Sequence, residues 1–311
     1  MGTFALWVGT GDAGWVEAEA HDDADGRLEL ARSHPLGLDD GWARSLGTIL
    51  ADEVRDADAT VMFTPLSDWP LLACGGWLAH TMRAAVLAGY PGWKQSVVLT
   101  GRTTPSSARV ESVHTKRPLV RMARLSNNFG GFRLPSSALD AARTMRSLYV
   151  PAGGDEHLRL RRSVRTAVVA LQMDNAYERL PAFMRVIEGL TSPPRNNMKG
   201  GIASRLGPLV EGFAEKDYLD AYNVRSKIEH MESWTTGLPA APVERQEEHA
   251  KRLYAGLECI ACELLVRALH PERVGRFRDD AAITELWAAP PAEQLAFWGS
   301  PIVVTDAAVA E

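Results

Sequence analysis

Cysteine is almost missing from this chain, with only Cys74, Cys259 and Cys262 among 311 residues. Three cysteines cannot build a disulfide framework, so a reducing, cytoplasmic setting is expected. Long apolar runs are missing too. The strongest stretch, Trp69 to Ala79, is interrupted by Cys74-Gly75-Gly76 and falls short of the ~20 residues that cross a bilayer. The N-terminus has no basic segment leading into an apolar core, so neither a signal peptide nor a membrane partner is expected. A general excess of positive charge is also lacking. The formal net charge is −5, which argues against a uniformly basic nucleic-acid coat. There is no internal repeat and no low-complexity tract.

What is present is an ordinary globular composition, 46% hydrophobic and 23% charged, on a chain long enough for two domains. The charge is unevenly spread. Residues 1–60 carry a balance of −9, residues 102–165 carry +9, and residues 166–311 carry −6. A basic middle between acidic flanks is a footprint for a polyanion, or an arginine-rich solvated surface neutralised by its flanks.

Residues 1–150 read as an α+β domain. Phe4, Leu6 and Val8 alternate as a half-buried strand does, and Val16, Ala18 and Ala20 alternate after a glycine-rich turn. Asp39 to Asp56 predicts a helix. Thr60 to Phe63 predicts a short strand ended by Pro65, and Leu71 to Leu87 a helix ended by Gly89. Ser96 to Leu99 and Ala108 to His114 predict strands around a Thr-Pro-Ser-Ser turn. Near Pro151-Ala152-Gly153-Gly154 the period changes from two to 3.6, and residues 155–301 read as an all-α bundle. Its apolar stripes are Leu160/Val164/Val168/Leu171, then Tyr177/Leu180/Met184/Ile187/Leu190 with Pro181 placed in a first turn. Ile202/Leu206/Leu209/Val210/Phe213 follow, then a shorter helix from Tyr218 to about Met231, and Leu253/Leu257/Ile260/Leu264/Ala268. Residues 302–311 read as a fraying tail.

Two motifs look chemical and are weak. Gly9-Thr10-Gly11-Asp12-Ala13-Gly14 matches a dinucleotide fingerprint, but the residues that follow suit the second strand of a hairpin better than a crossover helix. Cys259-x-x-Cys262 lies inside a long helix and has no second pair to complete a zinc site, so helix packing is the expected role. No metal and no cofactor is expected.

Arginine followed by histidine after four to six residues occurs three times: Arg27 with His34, Arg109 with His114, and Arg225 with His230. A chain with 28 arginines and 8 histidines produces this spacing by chance. The third falls in Tyr222-Asn223-Val224-Arg225-Ser226-Lys227-Ile228-Glu229-His230, which resembles the signature of HEPN domains, especially the Apea-like branch. Upstream, Glu188-Gly189-Leu190 resembles the "E-x-L" helix of such domains. The helix carrying Leu253 to Ala268 and the aromatic patch of Trp287, Phe297 and Trp298 fit as well. The resemblance covers roughly residues 157–300. Met231 stands where a glycine commonly follows the histidine, and the segment after the motif is rich in proline (Pro239, Pro242).

The resemblance implies a metal-independent endoribonuclease, of the kind that serves as a toxin or an antiviral effector. It implies RNA as substrate and a homodimer with its motifs facing each other; an inhibitory protein partner is a further expectation. The residue types agree with that chemistry. Histidine, with an unperturbed pKa of about 6.5, can take a proton from a 2′-hydroxyl or give one to a 5′-oxygen. An always-charged guanidinium stabilises the extra charge on phosphorus. Arg225 and His230 are thus the catalytic candidates, or else a surface arginine and histidine on a solvated helix. Ser226 is a phosphate ligand or bonds to the backbone of the preceding turn. Tyr222 is a stacking or core residue, and Glu188 is the carboxylate that orients Arg225 or a helix-surface charge. Neither Arg225 nor His230 belongs to an apolar stripe, so their replacement is expected to leave the fold intact. Five residues on an ideal helix are a rotation of ~140°, so the two side chains converge only where the helix ends or across a dimer. The alternative is a non-catalytic HEPN-like dimeric scaffold that binds a nucleotide or a protein partner.

Overall fold

The alternating residues of the first third form a six-stranded sheet in which every pair is antiparallel. The computed structural model describes residues 2–10, 19–31, 51–52, 59–88, 95–104, 107–114, 136–149, 155–173, 175–194, 196–238 and 242–304. The strands are β1 (Gly2–Thr10), β2 (Glu19–Asp23), β3 (Gly26–Ala31), β4 (Ala59–Pro65), β5 (Gln95–Thr104) and β6 (Ser107–His114), in the order β2-β3-β4-β1-β5-β6. Helix α1 (Leu71–Leu87) belongs to the same part of the chain. Its Trp77 stacks on Phe63 of β4 with ring centroids 3.7 Å apart, and Phe4, Leu6, Leu28 and Val61 are buried with them.

Two expectations change here. β2 pairs with β3 and not with β1, and β3 itself lies in a stretch whose acidic, turn-rich look hides the alternation of Leu28 and Leu30. β1 pairs antiparallel with β4 and β5, whereas a dinucleotide fingerprint needs a parallel βαβ unit, so that reading of Gly9 to Gly14 is set aside. Gly11 to Gly14, Val16 and Ala18 of the expected second strand, His34, residues 39–50 and 53–56 of the expected first helix, and residues 115–135 of the basic middle lie outside the described residues.

The chain divides into two compact units, the first taking in most of the residues up to Pro135 and the second running from Ser136 to Glu311. The sequence changes texture only at Pro151, but α2 (Ser136–Tyr149) already belongs with the helices. Its face of Ala138, Ala141, Ala142 and Met145 is buried, and α2 packs against α7 (Val243–Ala268). The other helices of this unit are α3 (Leu158–Leu171), α4 (Ala176–Thr191), α5 (Met198–Leu206), α6 (Glu215–Glu229), α8 (Asp280–Ala288) and α9 (Pro291–Trp298). Among the described residues, no helix is long and apolar enough to cross a membrane.

Helix α4 is the centre. It is apolar on nearly every side, as a fully enclosed helix must be, and it packs against α3, α5, α6 and α7. Pro181 lies in its second turn, not its first, so the Tyr177 carbonyl loses its helical donor. Gly189 lets α3 approach: a Cβ there would fall 2.4 Å from Ser163 Oγ. Inside the bundle, Arg179 of α4 reaches Glu258 of α7 at 3.5 Å, and both side chains are almost wholly buried.

The third apolar stripe is not one helix. Pro208 has no N–H to continue α5, which stops at Leu206, and Val210–Glu211 forms a short strand, β7. β7 pairs in parallel with β8 (Ile302–Val303), and Val304 N–H donates to the Glu211 carbonyl at 2.8 Å. Ile302 and Val304 are buried, so the expected tail starts no earlier than residue 305.

All three cysteines are buried, and burial pushes the Cys74 thiol up to about 12. A thiol-specific chromogenic reagent is therefore expected to find no fast-reacting group in the native protein and three in denaturant. A fast native reaction would show that α1 or α7 opens.

Candidate functional site

Helix α6 is fastened on one side by facing charges. Asp217 accepts the Ala214 N–H at 2.8 Å, capping the helix, and also accepts Arg252 Nη2 at 3.0 Å. Asp220 lies 2.9 Å from His249 Nε2. Asp217 and Asp220, like His249 and Arg252, are three residues apart, so two carboxylates on α6 meet two bases on α7.

The opposite side of α6 carries Tyr222, Arg225, Ser226 and Glu229, spaced as one helical stripe. Arg225 Nη1 donates to Glu188 of α4. Arg225 Nε donates to Glu229 Oε1 at 3.0 Å, and the same oxygen accepts Arg185 Nη2 of α4 at 2.9 Å. Two arginines and two carboxylates thus form a chain, Glu188–Arg225–Glu229–Arg185, across α4 and α6. Arg225 and Glu188 are mostly covered, with side chains 14% and 15% exposed, while Arg185 is 57% exposed. Burial works against the Arg225 charge, but the carboxylates of Glu188 and Glu229 outweigh it and hold its pKa above the ordinary guanidinium value.

Arg225 is therefore an interhelix clasp and not a bare surface residue. Its removal strands Glu188, so the expectation that Arg225→Ala leaves the fold untouched is corrected. Tyr222 is half-buried and not a core residue; Lys199 Nζ lies 4.8 Å and the Arg225 guanidinium 5.6 Å from its ring centroid. Ser226 is half-buried, and among the described residues its hydroxyl has no hydrogen-bond partner. It does not bond back to the preceding turn.

Helix α6 stops at Glu229. His230 has φ −92° and ψ 9°, and its backbone N–H donates to the Ser226 carbonyl at 3.1 Å. Met231 N–H then bonds to Ile228 and Glu232 N–H to Lys227, a Schellman ending that turns the chain out of the helix. The return runs along α6 through a 3₁₀ turn, Trp234–Gly237, where a Cβ on Gly237 would fall 2.9 Å from the Asn223 backbone. Trp234 stacks on Tyr177 with ring centroids 5.0 Å apart. The imidazole of His230 is left exposed at the end of the stripe.

No family model matches the sequence, and no curated protein or solved structure matches it. What the site can do follows from its own groups. It offers a guanidinium held in place from two sides, an exposed imidazole just beyond the helix end, and a hydroxyl between them on the helix surface.

Met231 is the residue at odds with this ending. Its φ is 56°, in the left-handed region that favours glycine, and its side chain is 97% exposed. A glycine there, as in the pattern the segment resembles, has a backbone reason. Met231→Gly is expected to stabilise the protein by about 0.5–1 kcal/mol, relief of the left-handed backbone exceeding the entropy glycine adds to the unfolded chain. A urea midpoint that rises with unchanged slope is the readout; a lower midpoint contradicts it.

A cleft of about 750 Å³ opens beside the charge chain, lined among others by Arg159 and Arg162 of α3, Arg185 and Glu188 of α4, and Arg278. Arg159 is paired with Asp280, and Arg278 with Asp279. Arg162 is exposed and has no ion-pair partner among the described residues. Arg159 and Arg162 come from the basic middle of the sequence. The spacing of Arg185 to Glu188 and of Arg225 to Glu229, on two helices one of which carries the signature, was the available signal for the charge chain. Sequence reasoning did not use it.

Proposed function

We propose that this protein is a metal-independent endoribonuclease of the HEPN type, acting in the cytoplasm as a homodimer with a toxin or antiviral role. The observation that supports the reading is a guanidinium, Arg225, held by Glu188 and Glu229, on the same helix whose end leaves His230 exposed. The Ser226 carbonyl still accepts the His230 N–H, so residue 230 keeps its helical position ~140° from Arg225, and the two side chains meet only across a dimer. Arg225 holds the scissile phosphate and its developing negative charge. His230 of one protomer takes the proton from the 2′-hydroxyl as the 2′-oxygen–phosphorus bond forms. His230 of the second protomer gives a proton to the 5′-oxygen as its bond to phosphorus breaks. The products are a 2′,3′-cyclic phosphate and a 5′-hydroxyl. Ser226 donates to a phosphate oxygen, and Glu188 keeps Arg225 in place.

The second reading is a non-catalytic dimerising scaffold that binds a nucleotide or a protein partner. The saturation of Arg225 by Glu188 and Glu229 favours it, since such an arginine also serves simply to tie α6 to α4. Incubation of the purified protein with mixed-sequence RNA in EDTA separates the two. The ribonuclease cuts, leaves cyclic phosphate ends, and is blocked by a 2′-O-methyl group at the cut site. Activity that needs magnesium, or cleavage of the blocked RNA, gives a different mechanism; no cleavage leaves the scaffold.

A further inference from the structure

Glu229 Oε1 occupies a point at which two guanidinium groups converge. Arg225 Nε lies 3.0 Å from it and Arg185 Nη2 2.9 Å from it. These are the distances of charge-assisted N–H···O⁻ bonds, and they define a position for an anionic oxygen held from two helices. The chain fills that position with its own carboxylate.

We propose that Arg185 is a second phosphate-binding arginine, and that a non-bridging oxygen of a single-stranded RNA phosphodiester replaces Glu229 Oε1 between Arg225 and Arg185. The substrate class rests on the ribonuclease reading; the two-arginine oxygen site rests on the distances alone.

The two carboxylates of the charge chain are not equivalent. Glu188 is 15% exposed and springs from the middle of the central helix, so it stays with Arg225. Glu229 is 31% exposed and is the last residue of α6, so its side chain can turn to water. With Glu229 in place, the chain of two arginines and two carboxylates is neutral. With Glu229 turned away, one positive charge remains for one phosphodiester. The donor geometry also suits the ligand: Arg225 keeps Nη1 on Glu188 while Nε meets phosphate, and Arg185 approaches from the other side. Arg185 lines the cleft together with Arg159, Arg162 and Arg278 and the carboxylates of Asp155, Asp279 and Asp280. Arg159 is paired with Asp280 and Arg278 with Asp279, and Arg162 is the exposed cation next along it.

The test is binding of a short, dye-labelled 2′-O-methyl RNA of mixed sequence, followed by anisotropy between about 50 and 200 mM salt. The wild type is expected to bind. Arg185→Ala is expected to weaken binding about tenfold or more and to flatten the plot of log affinity against log salt by about 0.7. Glu229→Gln keeps the shape but releases the competitor's charge, and is expected to tighten binding several-fold. Adding Arg185→Ala to Glu229→Gln is expected to remove that gain. Both positions are at the surface, and circular dichroism checks that each variant is folded. An Arg185→Ala protein with unchanged affinity and salt slope overturns the proposal. So does a Glu229→Gln protein that binds more weakly, or a wild type that does not bind. Arg185-dependent binding without RNA cleavage retires the ribonuclease reading alone. Cleavage of RNA with Arg185-independent affinity retires the second arginine alone.

Discussion

On the proposed function, His230→Ala is expected to slow RNA cleavage by ~10²-fold or more and to leave the melting temperature where it was. The imidazole is exposed, and the helix ending uses the backbone N–H of residue 230, which alanine keeps. Arg225→Ala is expected to lose a similar factor in rate, because the charge proposed to meet the phosphorane is gone. It also leaves the mostly covered Glu188 carboxylate without its guanidinium, at a cost of about 1–3 kcal/mol. The two variants therefore separate by melting and coincide in rate. Arg225→Lys restores the charge without the fork that reaches Glu188 and Glu229 together, and is expected to recover little activity. A His230→Ala protein that cleaves at the wild-type rate removes histidine from the chemistry, whatever the fold.

Glu258→Ala has the largest expected effect on stability. Glu258 is wholly buried on α7, and Arg179 beside it on α4 is 4% exposed. Arg179 Nε also donates to the Met173 carbonyl at 2.7 Å, which fixes the guanidinium at the start of α4. Removing the carboxylate takes the Glu258 charge away from a buried guanidinium and costs about 3–5 kcal/mol. At the ~2–4 °C per kcal/mol typical of a unit this size, the melting temperature falls by roughly 10 °C. The paired change Arg179→Met with Glu258→Leu removes both charges together and is expected to be close to neutral, because the desolvation of both ions disappears with their attraction. If Glu258→Ala melts within a degree of the wild type, the pair contributes nothing to the bundle.

Long elements with a strong period were legible in the sequence. Helix α1 runs from Leu71 to Leu87 as its apolar content and the following Gly89 suggest, and the stripe from Leu253 to Ala268 is buried along its length. Short elements were not. β7 and β8 are two residues each, too short for any period, and their pairing joins residues 92 positions apart. The partner of β2 is a matter of register between strands, which alternation within one strand does not determine. Helix α2 hides its membership of the bundle because its buried face is largely alanine. At the site, Arg225, Glu188 and His230 could be picked out from the signature-like segments. Arg185 and Glu229 were marked only by their spacing from Glu188 and Arg225, a weak signal because their importance arises where α4 packs against α6, and a spacing along one helix does not say what faces it.

The parallel clasp of β7 and β8 has a practical use. It fixes Val303 beside residues that lead into the N-terminal end of α6, while His230 lies past the other end of that 15-residue helix, about 22 Å long. Val303 is 52% exposed, and the three native thiols are buried. A cysteine introduced at residue 303 is therefore the one that takes a dye or spin label, and it does so at the far end of the helix from the imidazole. Such a probe reads how close two copies come together while staying clear of the cleft where a bound strand would lie.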